Sequence, residues 1–219
     1  MPVPLSQSLF FHIPKTGGGW VRHALLQEGL SQAEVRCMTH VLENVQPKYP
    51  CCIHTPTYYV TEAIFNSVFT FTFIRHPLSW YKSRYAFGIK RMQSQKNAID
   101  LEYLEGGFES FVSKIINKHK DGYVSKLYRL YCDTLNVFDF IGRQENLTED
   151  LITALTLAGE EFCAENIRAT ARVNASYFDS NLKDECQISS DLEKRLMKNE
   201  KYAFELYDSV EAQRSLVTT

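Results

Sequence analysis

Near its start the chain carries a lysine, a threonine and three glycines in a row: Pro14-Lys15-Thr16-Gly17-Gly18-Gly19. An apolar run, Ser8 to Ile13, precedes them. Trp20 to Gly29 follows, with Val21, Ala24, Leu25 and Leu26 apolar at helical spacing. Strand, glycine-rich loop and helix in that order suit an anion. Glycines let backbone N–H groups approach phosphate oxygens closely. A helix N-terminus adds free N–H groups and the favourable end of its dipole. Lys15 supplies a mobile positive charge and Thr16 a hydroxyl. The order is not that of a Walker P-loop, where lysine follows the glycines. Lys15 precedes them, and no glycine lies five residues upstream of it. An ordinary P-loop ATPase or GTPase is disfavoured. Taken alone, the segment is also compatible with a plain turn carrying a solvated lysine.

A second cluster follows the apolar run Val68 to Ile74, in the order Arg75-His76-Pro77-Leu78-Ser79-Trp80-Tyr81-Lys82-Ser83-Arg84-Tyr85. Arg75 falls at the end of an expected strand, where open α/β sheets bind ligands. Proline is well tolerated in a first helical turn, so a helix is expected from about Pro77. Ser83, eight residues after Arg75, then lies about two turns into it. An arginine fork donates two charge-assisted hydrogen bonds, and Arg75 with Ser83 can converge on one phosphate. The plain alternative pairs Arg75 with a surface carboxylate and leaves Ser83 incidental.

The elements that must position these residues alternate between strand and helix. Beyond those above, Phe108 to Lys118 and Tyr123 to Leu135 have amphipathic helical patterns. Val137 to Ile141 is expected as a third strand with Asp139 inside it, ended by Gly142-Arg143. Thr148 is the expected N-cap of a helix to Ala158, and Ser189 to Val210 is a charged helical tail. The pattern implies an α/β domain around a mainly parallel sheet. No repeat or linker divides the 219 residues, so one domain spanning 1–219 is the expectation. The net charge of -2 argues against a general nucleic-acid binder. No basic-then-apolar leader opens the sequence, and no apolar stretch approaches the ~20 residues that span a bilayer. The expected setting is the cytoplasm, though a truncated luminal domain would read the same way. The six cysteines have no C-x-x-C or zinc-ligand spacing and are read as reduced thiols, mostly buried.

Together the two motifs resemble the sulfotransferase family that uses 3′-phosphoadenosine 5′-phosphosulfate (PAPS). F-F-H-I-P-K-T-G-G resembles its 5′-phosphosulfate loop. F-I-R-H-P-L-S-W-Y-K-S-R-Y resembles its 3′-phosphate segment. Small bacterial sulfotransferases and, more distantly, Golgi carbohydrate enzymes such as heparan sulfate 2-O-sulfotransferase are the nearest in pattern. Phe140 to Leu151 is similar to a segment recurring after the third strand, and Arg172 to Ser176 sits where the family often folds a loop over the nucleotide. The resemblance implies a P-loop-like sulfotransferase fold. It implies nucleotide contacts from Lys15, Thr16, Gly17, Gly18, Gly19, Trp20, Arg75 and Ser83, with PAPS as co-substrate and no metal required. The chain departs from the pattern at Gly19 and Trp20, where the family often carries hydroxyls, and at Trp80, where it often carries arginine.

Sulfuryl transfer needs charge stabilisation on the leaving phosphate, for which Lys15 and the loop N–H groups are the candidates. It also needs a general base for the acceptor's proton. Histidine titrates nearest neutrality. Of His12, His23, His40, His54, His76 and His119, only His54 resembles the base of 2-O-type carbohydrate sulfotransferases, twenty-one residues before Arg75. His40, Glu43 and Glu62 are the reserves. His12 is read as packing within the first strand, and His119 as exposed. The acceptor stays open between saccharide, lipid, peptide and small alcohol. Tyr58, Tyr59, Trp80, Tyr81 and Tyr85 are either an aromatic wall for it or core. Two rivals remain. A phosphoryl transferase would need an acidic Mg²⁺ ligand at a strand end. A catalytically inactive, sulfotransferase-like nucleotide binder would need none of the base chemistry. The oligomeric state is not legible.

Overall fold

The structure is a computed structural model that describes residues 2–31, 57, 62–93, 101–132, 138–171 and 185–217. The chain forms two compact units: Met1–Ile74 with Tyr128–Val173, and Arg75–Leu127 with Asn174–Thr219.

The first unit holds the sheet. Among the described residues four strands pair in the order β1-β2-β3-β4: β1 (Val3–Pro4), β2 (Ser8–Phe11), β3 (Phe69–Ile74) and β4 (Phe140–Arg143). β1 runs antiparallel to β2, while β2, β3 and β4 are parallel. The fold is therefore mixed α/β around a mostly parallel sheet flanked by helices. In the registers Phe11↔Thr72 and Ile74↔Arg143, the carboxyl ends of the three parallel strands share one edge.

Side-chain alternation decides what covers each face. Phe10, Phe71 and Phe73 pack with Val21, Ala24 and Leu25 of α1 (Gly18–Gln27). Leu151, Ala154 and Leu155 of the helix Leu147–Ala158 close the same core, with Ile167 beside them. Leu9 and Phe11 point the other way, against Phe65 of α2 (Glu62–Phe65), Val68 and Phe138. The alternating Thr70 and Thr72 of β3 are buried with their hydroxyls satisfied. Thr72 donates to the Phe11 carbonyl at 2.8 Å, and Thr70 to the Asp139 carboxylate at 3.0 Å.

Among the described residues, the third expected strand begins at Phe140, so Phe138 and Asp139 precede it. Gly142 and Arg143 are the last two residues of β4, so the glycine lies within the strand rather than breaking it. The glycine is there for packing: a Cβ on it would sit 2.5 Å from the Phe73 ring and 3.0 Å from Cβ of Asp150. Asp139 precedes the strand and accepts the Thr70 N–H at 2.7 Å.

The second unit is helical: α3 (Pro77–Gln93), α4 (Leu101–Leu104), α5 (Gly107–Lys118) and the start of α6 (Tyr123–Cys132). In the first unit, a 3-10 turn (Gln144–Asn146) follows β4 and leads into α7 (Leu147–Ala158) and α8 (Ala164–Ala169). The N-cap position of α7 is Asn146, not Thr148. Buried Asp150 shapes the turn instead, accepting the Arg143 N–H at 2.6 Å and the Asn146 amide at 2.7 Å.

The charged tail, in the second unit, is two helices, α9 (Ser190–Asn199) and α10 (Lys201–Val217), with Glu200 between them. Glu200 is fully buried and is drawn into the unit by its partners. It accepts the N–H groups of Tyr123, Val124 and Ser125 at 2.7, 3.0 and 2.7 Å, and the Tyr81 hydroxyl at 2.6 Å. A carboxylate at the N-terminus of α6 satisfies donors that no helix can satisfy for itself.

Candidate phosphate-binding site

β2 ends at Phe11 and α1 begins at Gly18, so the loop has six residues to turn from strand into helix. It does so through two left-handed positions, Lys15 at φ 68° and Gly17 at φ 90°. Glycine reaches that region freely, whereas a lysine there is strained by about 1 kcal/mol or more. Gly17 is also tightly enclosed: a Cβ would lie 2.5 Å from Leu147 Cδ2 and 3.3 Å from Gln144 Cγ. Gly18 rests on the imidazole of His12, and any Cβ there would overlap that ring. His12 itself is buried and stacks on Phe10 at 6.2 Å between centroids. The first two glycines are thus demanded by backbone angle and by contact, and they bring the main chain where a side chain would otherwise stand.

The helix behind this loop presents its N-terminus without an acidic residue in the first turn. The N–H of Trp20 is taken by the Gly17 carbonyl at 2.9 Å. Those of Gly18 and Gly19 belong to the first turn, where no intrahelical acceptor exists, and Gly19 is exposed. The positive end of the helix dipole and these N–H groups fit an anionic group. Lys15 is half-buried in the same loop. Thr16 is buried, and its hydroxyl donates to the Ile13 carbonyl at 2.8 Å. That proton braces the loop. Trp20 is committed too. Its side chain lies in the core below the sheet, and its indole N–H points at the Thr170 carbonyl, 3.4 Å away. The family's hydroxyl position is thus occupied by a packing residue.

Arg75 is bonded to Ile74, the last residue of β3, and is half-buried. α3 starts at Pro77, and the half-buried Ser83 stands close to two turns in. Trp80, Tyr81 and Tyr85 on the same helix are buried. They pack with Tyr123, Phe108 and Phe111, and so belong to the core rather than to an aromatic wall. Tyr58 and Tyr59 lie outside the described residues.

His54, His40 and Glu43 also lie outside the described residues. Glu62 opens α2. His23 is half-buried on α1. His119 is half-buried against the Tyr123 ring at 4.8 Å, not exposed. Of the cysteines, Cys186 is buried, Cys132 half-buried and Cys163 exposed. Burial pushes the Cys186 thiol up to about 11. Asp139 stands before β4, at the opposite end of that strand from the loop edge. That is the wrong end for the metal-binding acid of a phosphoryl transferase.

Sequence reasoning took His12 as a packing residue, which its burial against Phe10 bears out, but it missed that the His12 ring underlies Gly18 and that Gln144 and Leu147 enclose Gly17. The glycine run was the local signal of such a close approach.

A family model described as the sulfotransferase family matches residues 6–208. No curated protein matches the chain. Among the described residues, no helix is long and apolar enough to cross a membrane.

Proposed function

The chain belongs to the sulfotransferase family, and from that premise we propose that it transfers a sulfuryl group from PAPS to a hydroxyl or amine of an acceptor, a carbohydrate being one candidate class among several. The observation that carries this reading is the loop between β2 and α1. Lys15 and Gly17 are left-handed there, and Gly17 and Gly18 are enclosed too closely to admit side chains; this geometry supports reading the loop and the N-terminus of α1 as a cradle for an anion.

In the proposed reaction the bond from sulfur to the bridging oxygen of the 5′-phosphate breaks, and a bond from sulfur to the acceptor forms. Negative charge accumulates on the departing phosphate oxygen. Lys15 and the N–H groups of Gly18 and Gly19 stabilise it there. Arg75 and Ser83 hold the 3′-phosphate, which fixes the orientation of the nucleotide. His54 takes the acceptor's proton as the nucleophile attacks. Thr16 serves through its backbone, and Trp20 by anchoring α1 behind the loop. The whole of residues 1–219 works as one domain in this reading.

Calorimetric titration with adenosine 3′,5′-bisphosphate, the desulfated product, tests the binding half. Micromolar affinity is expected, indifferent to Mg²⁺. It should fall by about 10–100-fold in Lys15→Ala and in Arg75→Ala, the size of one lost charged hydrogen bond. No binding by the folded protein defeats the proposal. Binding without turnover on any acceptor in a broad screen would make the chain an inactive nucleotide binder.

A further inference from the structure

α10 and the residue before it contact the segment carrying Arg75 and Ser83 at two places. His76, bonded to Arg75, sets its ring edge-on to Phe204 and Tyr207, with centroids 5.3 and 5.2 Å apart and interplanar angles of 84° and 89°. Its carbonyl also accepts the Trp80 N–H at 2.9 Å, so His76 is where α3 takes hold. One turn on, Tyr81 donates to Glu200 at 2.6 Å, and the Phe204 N–H closes onto the Glu200 carbonyl at 3.1 Å. Glu200 cannot follow Tyr81 if it moves, because three backbone N–H groups of α6 hold its carboxylate.

A single stretch, 200–207, therefore grips residues 76 and 81, and Arg75 and Ser83 flank that grip. The helix turns about 100° per residue, so burying Tyr81 directs Ser83, two residues on, to the opposite side. Tyr81 is buried and Ser83 half-buried, as this requires. At the other end Pro77 fixes its own φ. The setting of the backbone at His76 then decides where Arg75 points.

We propose that His76 and Tyr81 are positioning residues: held by Phe204, Tyr207 and Glu200, they set Arg75 and Ser83 at the separation one phosphate group requires. This rests on the reading of Arg75 and Ser83 as the 3′-phosphate site. A guanidinium fork and a hydroxyl serve the same phosphate only when placed to within about 0.5 Å, which calls for supporting residues that are themselves locked.

The test compares affinities for adenosine 3′,5′-bisphosphate and adenosine 5′-monophosphate, with melting temperatures alongside. Their ratio isolates the 3′-phosphate. The intact protein should favour the bisphosphate by about tenfold or more, and Arg75→Ala should abolish the preference. Phe204→Ala and Tyr81→Phe should each shrink the ratio several-fold while monophosphate affinity holds. A ratio unchanged in the folded variants overturns the proposal. So does an equal loss for both ligands, which is what general loosening produces. Should Phe204→Ala fail to fold, Tyr81→Phe, which removes a single oxygen, decides. An intact protein with no preference, or an Arg75→Ala variant that keeps one, would instead remove the premise about Arg75 and Ser83.

Discussion

Lys15 occupies a backbone conformation that lysine disfavours, at φ 68°. Strain of this kind persists only where surroundings enforce it, and it marks sites where geometry serves binding. Lys15→Gly should separate the two effects. The free protein should gain up to about 1 kcal/mol by relief of strain, while bisphosphate affinity falls for want of the charge. Melting temperature and calorimetry should thus move in opposite directions. Gly17→Ala should instead lower both melting temperature and affinity. It must bear both a left-handed alanine and a Cβ 2.5 Å from Leu147 Cδ2. A loss on the order of 3 kcal/mol is expected by chemical denaturation, with nucleotide binding impaired as the loop is forced open.

Among the elements, α6 depends on a carboxylate remote in sequence. Glu200 accepts three of its N-terminal N–H groups and the Tyr81 hydroxyl. Glu200→Ala leaves these donors buried and unmet, and should cost about 3 kcal/mol or more in denaturant titrations. The same packing makes the alkaline limb of stability informative. Burial, and then the charge of Glu200, raise the Tyr81 phenol well above its ordinary 10.0. Burial raises the Cys186 thiol from 9.0 to about 11. Both groups hold their protons more tightly folded than unfolded. Their contribution is complete below the ordinary values and is lost as pH rises through the folded ones. Melting temperature should therefore decline above pH 9.0, and Cys186→Ala should flatten the decline between 9.0 and about 11. Tyr81→Phe should flatten the part beyond 10.0.

At the scale of the molecule, each compact unit is assembled from two separated stretches of chain, and one boundary falls inside α6, between Leu127 and Tyr128. Neither unit is a contiguous stretch of chain, and we propose that the two unfold as a single cooperative domain. The chain's two tryptophans provide the test, since Trp20 lies in the first unit and Trp80 in the second. In Trp80→Phe the fluorescence reports the first unit, and in Trp20→Phe the second. The expected result is that within each variant the fluorescence and circular dichroism transitions coincide. Two separate transitions in either variant would show units that unfold independently.

The chain's local pattern was enough for the glycine-rich turn between β2 and α1, the strand that ends at Ile74, the helix that begins at Pro77 and the α/β class. Each of these rests on neighbours in sequence: period-two or period-3.6 burial, glycine's freedom at positive φ, proline's fixed φ. The family likeness was legible for the same reason, because both of its motifs are short and contiguous. What sequence reasoning misjudged or left open depended on contacts that local periodicity does not encode. Gly142 looks like a strand breaker until Phe73 and Asp150 press against it. Thr148 looks like a cap until Asp150 bonds the Arg143 N–H and the Asn146 amide. Trp80, Tyr81 and Tyr85 were open to two readings until Phe108, Phe111 and Tyr123 enclosed them. His76 could be read from sequence only as a neighbour of Arg75, and the rings of Phe204 and Tyr207 that enclose it lie far along the chain. By itself the sequence determined where the backbone can turn sharply and where charge is carried, since backbone angles and charge are local properties. Only the tertiary structure decided which side chains are consumed in holding those positions, because burial and contact are made by whatever the fold brings alongside.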